Sequence, residues 1–188
     1  MIKKFHEKEL DEVQISRENI FDGVLLHVKK DIVKLPNGNK SGREFIKHPG
    51  AVAVIPILDD GRIILVKQCR YPLDTVMWEI PAGKLDHGTE NIEDCAKREL
   101  SEETGYEAKT WEFLCSIATT PGFSDEIIHL FVAKNLTKYA QHTDEDEFIG
   151  VKFFTLQEIR NMIMQGEFFD AKSICAFYAL EIKNNCVL

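Results

Sequence analysis

The chain has 188 residues, 44% of them hydrophobic and 29% charged, with a formal net charge of −8 at pH 7. That length fits one domain with a small extension, and a core that buries roughly two-thirds of the unfolded surface. No run of about 18 apolar residues occurs, so no membrane-spanning helix is expected, and the acidic balance argues against a nucleic acid partner, which needs a basic face.

The start, Met1-Ile2-Lys3-Lys4-Phe5-His6-Glu7, turns polar too soon for a signal peptide. Residues 1–47 read as an extension with strands of its own at Val24–Val28 and Asp31–Leu35, followed by the turn Pro36-Asn37-Gly38-Asn39. The apolar run Ala51–Leu58 suits a central strand, although Pro56 points to an edge or a bulge there. Asp59-Asp60-Gly61 is a hairpin signal leading into a strand over Arg62–Gln68. After Pro81-Ala82-Gly83 comes a loop, then a helix from about Asn91 to Thr104, with Gly105 placed as its C-cap.

Further strands are expected at Glu112–Ala118, Ile127–Ala133 and Gly150–Phe154, and helices at Leu156–Gln165 and Ala171–Ile182. Strands on both sides of a single central helix indicate an α+β architecture, a mixed sheet sandwiched between helices. The five cysteines are odd in number and lack CxxC spacing, which fits a reducing cytoplasm rather than a disulfide framework or zinc site.

The central helix carries the most informative pattern. With Ile92 at zero on a wheel of about 100° per residue, Cys95, Ala96 and Leu100 share one face, and Glu99 and Glu103 fall within about 20° of its middle. An acidic helix is ordinarily solvated, but here two mutually repulsive carboxylates at i,i+4 lie in the apolar stripe. Burying both without a partner would cost several kcal/mol each. A divalent cation removes both problems, because Mg²⁺ is a hard ion held by a few carboxylates together with substrate phosphates. Arg98, on the flank with Glu102, is placed to brace the carboxylates.

The run from Gly83 through Glu90 and Arg98-Glu99-Leu100-Ser101-Glu102-Glu103-Thr104-Gly105-Tyr106 resembles the Nudix hydrolase signature G-x5-E-x7-R-E-U-x-E-E-x-G-U. Every fixed position from Glu90 to Tyr106 matches, while six residues rather than five separate Gly83 from Glu90. The resemblance implies a Nudix-type α/β/α sandwich and a substrate in which a nucleoside diphosphate is linked to another moiety. It implies Glu99 and Glu103 as metal ligands, Glu102 as a further ligand or a base just behind them, the Ala82 carbonyl completing the site, and Glu90 and Arg98 orienting the rest. The metal would be Mg²⁺, with Mn²⁺ as a substitute, clamping a pyrophosphate and activating water.

Glu79-Ile80-Pro81-Ala82-Gly83-Lys84-Leu85 is similar to the E-x-P-A-G-x-[LI] lead-in of the ADP-ribose pyrophosphatase branch. That likeness implies ADP-ribose cleaved to AMP and ribose 5-phosphate, with GDP-mannose or another nucleotide sugar as the alternative. In the branch a β-rich N-terminal extension takes part in a homodimer; on physical grounds alone residues 1–47 could equally cap their own core. Thr120-Pro121-Gly122-Phe123-Ser124-Asp125-Glu126 resembles the branch's P-G-x-[ST]-x-E loop, making Glu126 either a site carboxylate or a solvated strand start.

The acidic stretch Asp144–Glu147 is by composition a solvated loop; by its match to the branch it carries the catalytic base, Glu145 first and Glu147 second. Arg43, Arg70 and Glu79 match substrate-binding positions, though each arginine could also serve surface solubility. Phe123 could stack on adenine; Trp78 could do so or belong to the core. No G-x-S-x-G, P-loop or dinucleotide fingerprint is present. A reading of another class, a catalytically silent nucleotide- or RNA-binding module, is disfavoured by the intact Glu99, Glu102 and Glu103 and by the acidic balance.

Overall fold

In the computed structural model, which describes residues 2–86, 90–141 and 148–185, the backbone forms ten strands and three α-helices. The described chain divides into two compact units, one of residues 1–49 with 118–127, the other of residues 50–117 with 128–188. No helix among the described residues is long and apolar enough to cross a membrane.

The first unit is built on a three-stranded antiparallel sheet in the order β1 (Val13–Asp22), β2 (His27–Lys34), β3 (Lys40–Lys47). Of the strands expected at 24–28 and 31–35, Val24–Leu26 instead form the turn after β1, while His27–Lys34 run as one continuous strand, β2; the flanking β1 and β3 had no counterpart among the expected elements. The expected break falls on the charged pair Lys29-Lys30, but register runs through it and into Asp31, which pairs with Arg17 on β1 and with Arg43 on β3. Arg17 donates to both oxygens of the buried Asp31 carboxylate at 2.8 and 2.7 Å, so the charge is satisfied across strands and the ladder runs on. β1 is exposed along its whole length, which is why its sequence shows no clean alternation.

The second unit carries the mixed sheet β7 (Ala82–Lys84), β4 (Ala51–Pro56), β9 (Ile127–Lys138), β8 (Tyr106–Ala118), and the antiparallel sheet β10 (Gly150–Phe154), β5 (Ile63–Arg70), β6 (Thr75–Glu79). β4 is buried throughout, pairing parallel with β9 and antiparallel with β7. Pro56 occupies its last position. Val54 N–H points to the β7 side, where it meets the Pro81 carbonyl at 2.9 Å, whereas Ile57 N–H reaches Ala133 on β9. By alternation the missing N–H of Pro56 falls on the β7 side, beyond the last β7 pair at Ala53–Ala82, so no ladder bond is lost.

The alternation of β4 divides the core. Val52 and Val54 pack with Phe131, Ala133 and the Cys95, Ala96 and Leu100 stripe of α1 (Ile92–Thr104). Ala53 and Ile55 face the other way, toward Ile63, Leu65, Phe154, the helices α2 (Leu156–Gln165) and α3 (Ala171–Asn185) through Ile159 and Phe177, and Phe168 in the connection between them. This is the helix–sheet–helix layering expected from the sequence. α1 starts where Asn91 accepts a hydrogen bond from Glu93 N–H at 2.8 Å, and ends at Gly105, whose φ of 70° is left-handed.

Gly105→Ala should destabilise the protein by about 1–2 kcal/mol from the left-handed backbone alone. A Cβ there would also lie 2.9 Å from the backbone nitrogen of Gln141. A thermal melt should show Tm lowered by about 4 °C; an unchanged Tm would contradict the capping role.

Candidate active site

α1 and β7 build the centre of the second unit's candidate site. β7 is tied to the central strand by the pairs Ala53–Ala82 and Val52–Gly83. Two consecutive turns of α1 deliver their carboxylates onto these two β7 residues. Glu103, 3% exposed, accepts a hydrogen bond from Ala82 N–H at 3.0 Å. Glu99 lies against Gly83 so closely that a Cβ at that position would fall 2.0 Å from the carboxylate. Only glycine permits this approach, which gives Gly83 a physical reason beyond its place in the motif.

Arg98 holds the other carboxylates in place. Its Nε and Nη2 donate to Glu90 at 3.1 and 3.0 Å, and its Nη1 to Glu99 at 2.7 Å and Glu102 at 3.1 Å. Nη2 also meets the Lys84 carbonyl at 3.2 Å, tying the guanidinium back to β7. Hydrogen bonds from Arg98, then from Asp86 N–H, pull the Glu90 carboxyl down to about 2. Glu90 raises the Arg98 pKa in turn. Burial first, and then the Glu90 hydrogen bond, pushes the Cys95 thiol beneath them up to about 12, leaving it a neutral core group.

These donors are all hard oxygens, and the type of cation they suit is a small divalent one. No group of three or more His, Cys, Asp or Glu side chains converges as a ready-made metal cluster among the described residues. Arg98 draws Glu90, Glu99 and Glu102 toward one guanidinium, while Glu103 engages Ala82. The set that fits a cation is Glu99 and Glu103, on adjacent helical turns over Ala82 and Gly83.

A second charged group borders this centre through Glu79. It is 1% exposed, and Arg70 donates to both its oxygens at 2.6 Å. Lys172 of α3 donates to the same carboxylate. Burial raises the Glu79 pKa, but the hydrogen bonds from Arg70 and the charge of Lys172 overcome it, and the net displacement is downward. Glu79, expected as a substrate-binding residue, is buried and paired with Arg70, whose side chain stays 41% exposed. Lys172 and its neighbours Asp170 and Ser173 were not singled out in the sequence; no local spacing links them to Glu79, 93 residues before Lys172.

The remaining site expectations are described each within its own unit. Trp78 packs edge-on against Phe154 at 5.0 Å, with Lys67 over its ring, and so serves the core. Arg43, Phe123 and Glu126 belong to the first unit. There Arg43 is ion-paired with Glu12, Phe123 is exposed, and Glu126 takes a hydrogen bond from Thr119 and sits 3.4 Å from His48. Glu145 and Glu147 lie outside the described residues.

A NUDIX domain model matches residues 47–177. ADP-ribose pyrophosphatase of Bacillus subtilis (strain 168) is 46% identical over 178 residues, 94% of this chain and 96% of that protein. Methanol dehydrogenase activator of Bacillus methanolicus is 47% identical over the same length, again covering 94% and 96%. The crystal structure of an ADP compounds hydrolase covers 97% of this chain and 100% of its own with a TM-score of 0.82; at 22% identity it establishes the shared fold.

Displacing Glu99 with a methyl group should expose its part in cation binding. Gly83→Ala should weaken Mn²⁺ binding, followed by the electron paramagnetic resonance of the free ion, by about 10–100-fold with the circular dichroism unchanged. Unchanged affinity would remove Glu99 from the ligand set.

Proposed function

The chain belongs to the Nudix hydrolase family, and we propose that it hydrolyses ADP-ribose to AMP and ribose 5-phosphate with Mg²⁺, or Mn²⁺, as cofactor. One observation carries this reading: α1 places Glu99 and Glu103 on Ala82 and Gly83 while Arg98 restrains Glu90, Glu99 and Glu102 beside them. Glu99, Glu103 and the Ala82 carbonyl would hold the cation, with Glu102 as a further ligand. A cation bound there neutralises a diphosphate and lowers the pKa of the attacking water.

The chain's own residues supply positioning and charge, which is most of what phosphoryl transfer demands. Arg98 limits carboxylate repulsion and fixes the side chains before substrate arrives. Arg70 offers an exposed guanidinium to the diphosphate. Glu145, or failing it Glu147, takes the proton of the water in this proposal, on the strength of the motif likeness. Arg43 and Phe123 enter it as contacts to phosphate and adenine, and Glu126 as an additional site carboxylate.

ADP-ribose is preferred over GDP-mannose because a relative alike over nearly the whole chain is an ADP-ribose pyrophosphatase. A homodimer through the first unit is part of the proposal, supported by the exposed Val13, Ile15, Ile20 and Phe21 on β1.

A panel of ADP-ribose, GDP-mannose, Ap₄A and dNTPs with Mg²⁺, products resolved by chromatography, tests the reading. ADP-ribose should give AMP, a chelator should abolish the reaction, and Glu103→Gln should lower turnover by about 10–100-fold or more. Preferred cleavage of GDP-mannose would move the assignment to nucleotide sugars. Absence of any diphosphate hydrolysis, or full turnover in Glu103→Gln, would falsify the catalytic reading.

A further inference from the structure

The first turn of α3 grips the segment that leads into β7 at two adjacent residues. Asp170 caps the helix: its side chain accepts from Ser173 N–H at 3.1 Å and its carbonyl from Ile174 N–H at 3.0 Å. The fully buried Ser173 donates its hydroxyl to Asp170 and accepts from Ile80 N–H at 2.9 Å. Lys172 bridges Asp170, at 3.0 Å, and Glu79.

Each residue from 79 to 82 is held from outside the segment, by α3 and β5, by α3, by β4 and by α1 in turn. Glu79 is held by Lys172 and Arg70, Ile80 by Ser173, the Pro81 carbonyl by Val54 and Ala82 N–H by Glu103. Asp170, Lys172, Glu79 and Arg70 together are charge-neutral. Glu79 is the one almost wholly removed from water, so it needs the compensation most.

We propose that Lys172 is a positioning residue for the hydrolytic reaction: by anchoring Glu79 to the capped start of α3, it fixes the plane and reach of the Arg70 guanidinium. The inference rests on the reading above that Arg70 binds the substrate diphosphate. A bidentate Arg–carboxylate pair orients a guanidinium only as well as the carboxylate itself is held. Arg70 alone would leave Glu79 free to swing with it. With Lys172 on the same carboxylate and Asp170 behind Lys172, the carboxylate becomes a fixed point.

Steady-state kinetics on ADP-ribose with saturating Mg²⁺, for Arg70→Ala, Lys172→Met and the double variant, test this. Lys172→Met should raise KM by about tenfold with a smaller change in kcat, and Lys172→Arg should restore most of it. In the Arg70→Ala background Lys172→Met should add nothing further to KM, because the lysine acts through the arginine. Should Lys172→Met fail to fold, Glu79→Gln combined with Lys172→Met removes the buried charge along with its partner, and that variant should be folded and show the same raised KM. An additive effect in the double variant, or an unchanged KM in folded Lys172→Met or in the Glu79→Gln combination, overturns the inference. If Arg70→Ala itself leaves KM unchanged, the reading of Arg70 as a substrate contact fails, and the inference falls with it.

Discussion

One guanidinium makes the acidic helix tenable. Arg98 meets Glu90, Glu99 and Glu102 through all three of its nitrogens and returns to the Lys84 carbonyl. Without it, carboxylates at successive positions of α1 would repel one another across a half-buried surface. With it, the helix can turn two glutamates toward β7 and still bury Cys95, Ala96 and Leu100 against β4. Fold and site thus use the same face of the same helix. The apolar residues set its depth against the sheet, and Gly83 removes the one side-chain atom that would keep Glu99 away.

The same economy extends to the other side of the central sheet. β4 is buried on both faces, so α1 and the α2–α3 layer are registered to a common strand. The segment 79–82 crosses between them, giving one hydrogen bond to α3 from Ile80 N–H and one to α1 from Ala82 N–H. A carboxylate site assembled from loops would need water or ligand to organise it. This one is organised by a segment joining β6 to β7 whose residues are each held by a neighbouring element, which is the preorganisation that catalysis by positioning requires.

How much of this was legible in the sequence follows from the range of the interactions. The wheel position of Glu99 and Glu103, the C-cap at Gly105 and the hairpin at Asp59-Asp60-Gly61 are local, and they could be read directly. β1 and β3 could not, because their residues are mostly polar and their pairing rests on cross-strand matches such as Arg17 with Asp31. The same cause hid the continuity of β2: the charged pair Lys29-Lys30 looks like a break until the partners of Lys30 on the flanking strands, Glu18 and Glu44, are known. Glu79 was singled out by motif likeness, but its burial between Arg70 and Lys172 is a contact over 93 residues and has no local signature. The extra residue between Gly83 and Glu90 lies in a stretch whose residues 87–89 are outside the described structure, yet Ala82, Gly83, Glu99 and Glu103 meet regardless.

The central claim is that Glu99 and Glu103, laid over Ala82 and Gly83, bind the divalent cation on which hydrolysis depends. It is tested most directly by titrating Mn²⁺ into the parent protein and Glu99→Gln, reading bound ion by electron paramagnetic resonance and ADP-ribose hydrolysis in the same samples. The account predicts that turnover rises in step with occupancy in the parent, and that both curves shift to higher Mn²⁺ together in the variant. Turnover that saturates before the ion binds, or a variant whose two curves overlay those of the parent, would contradict it.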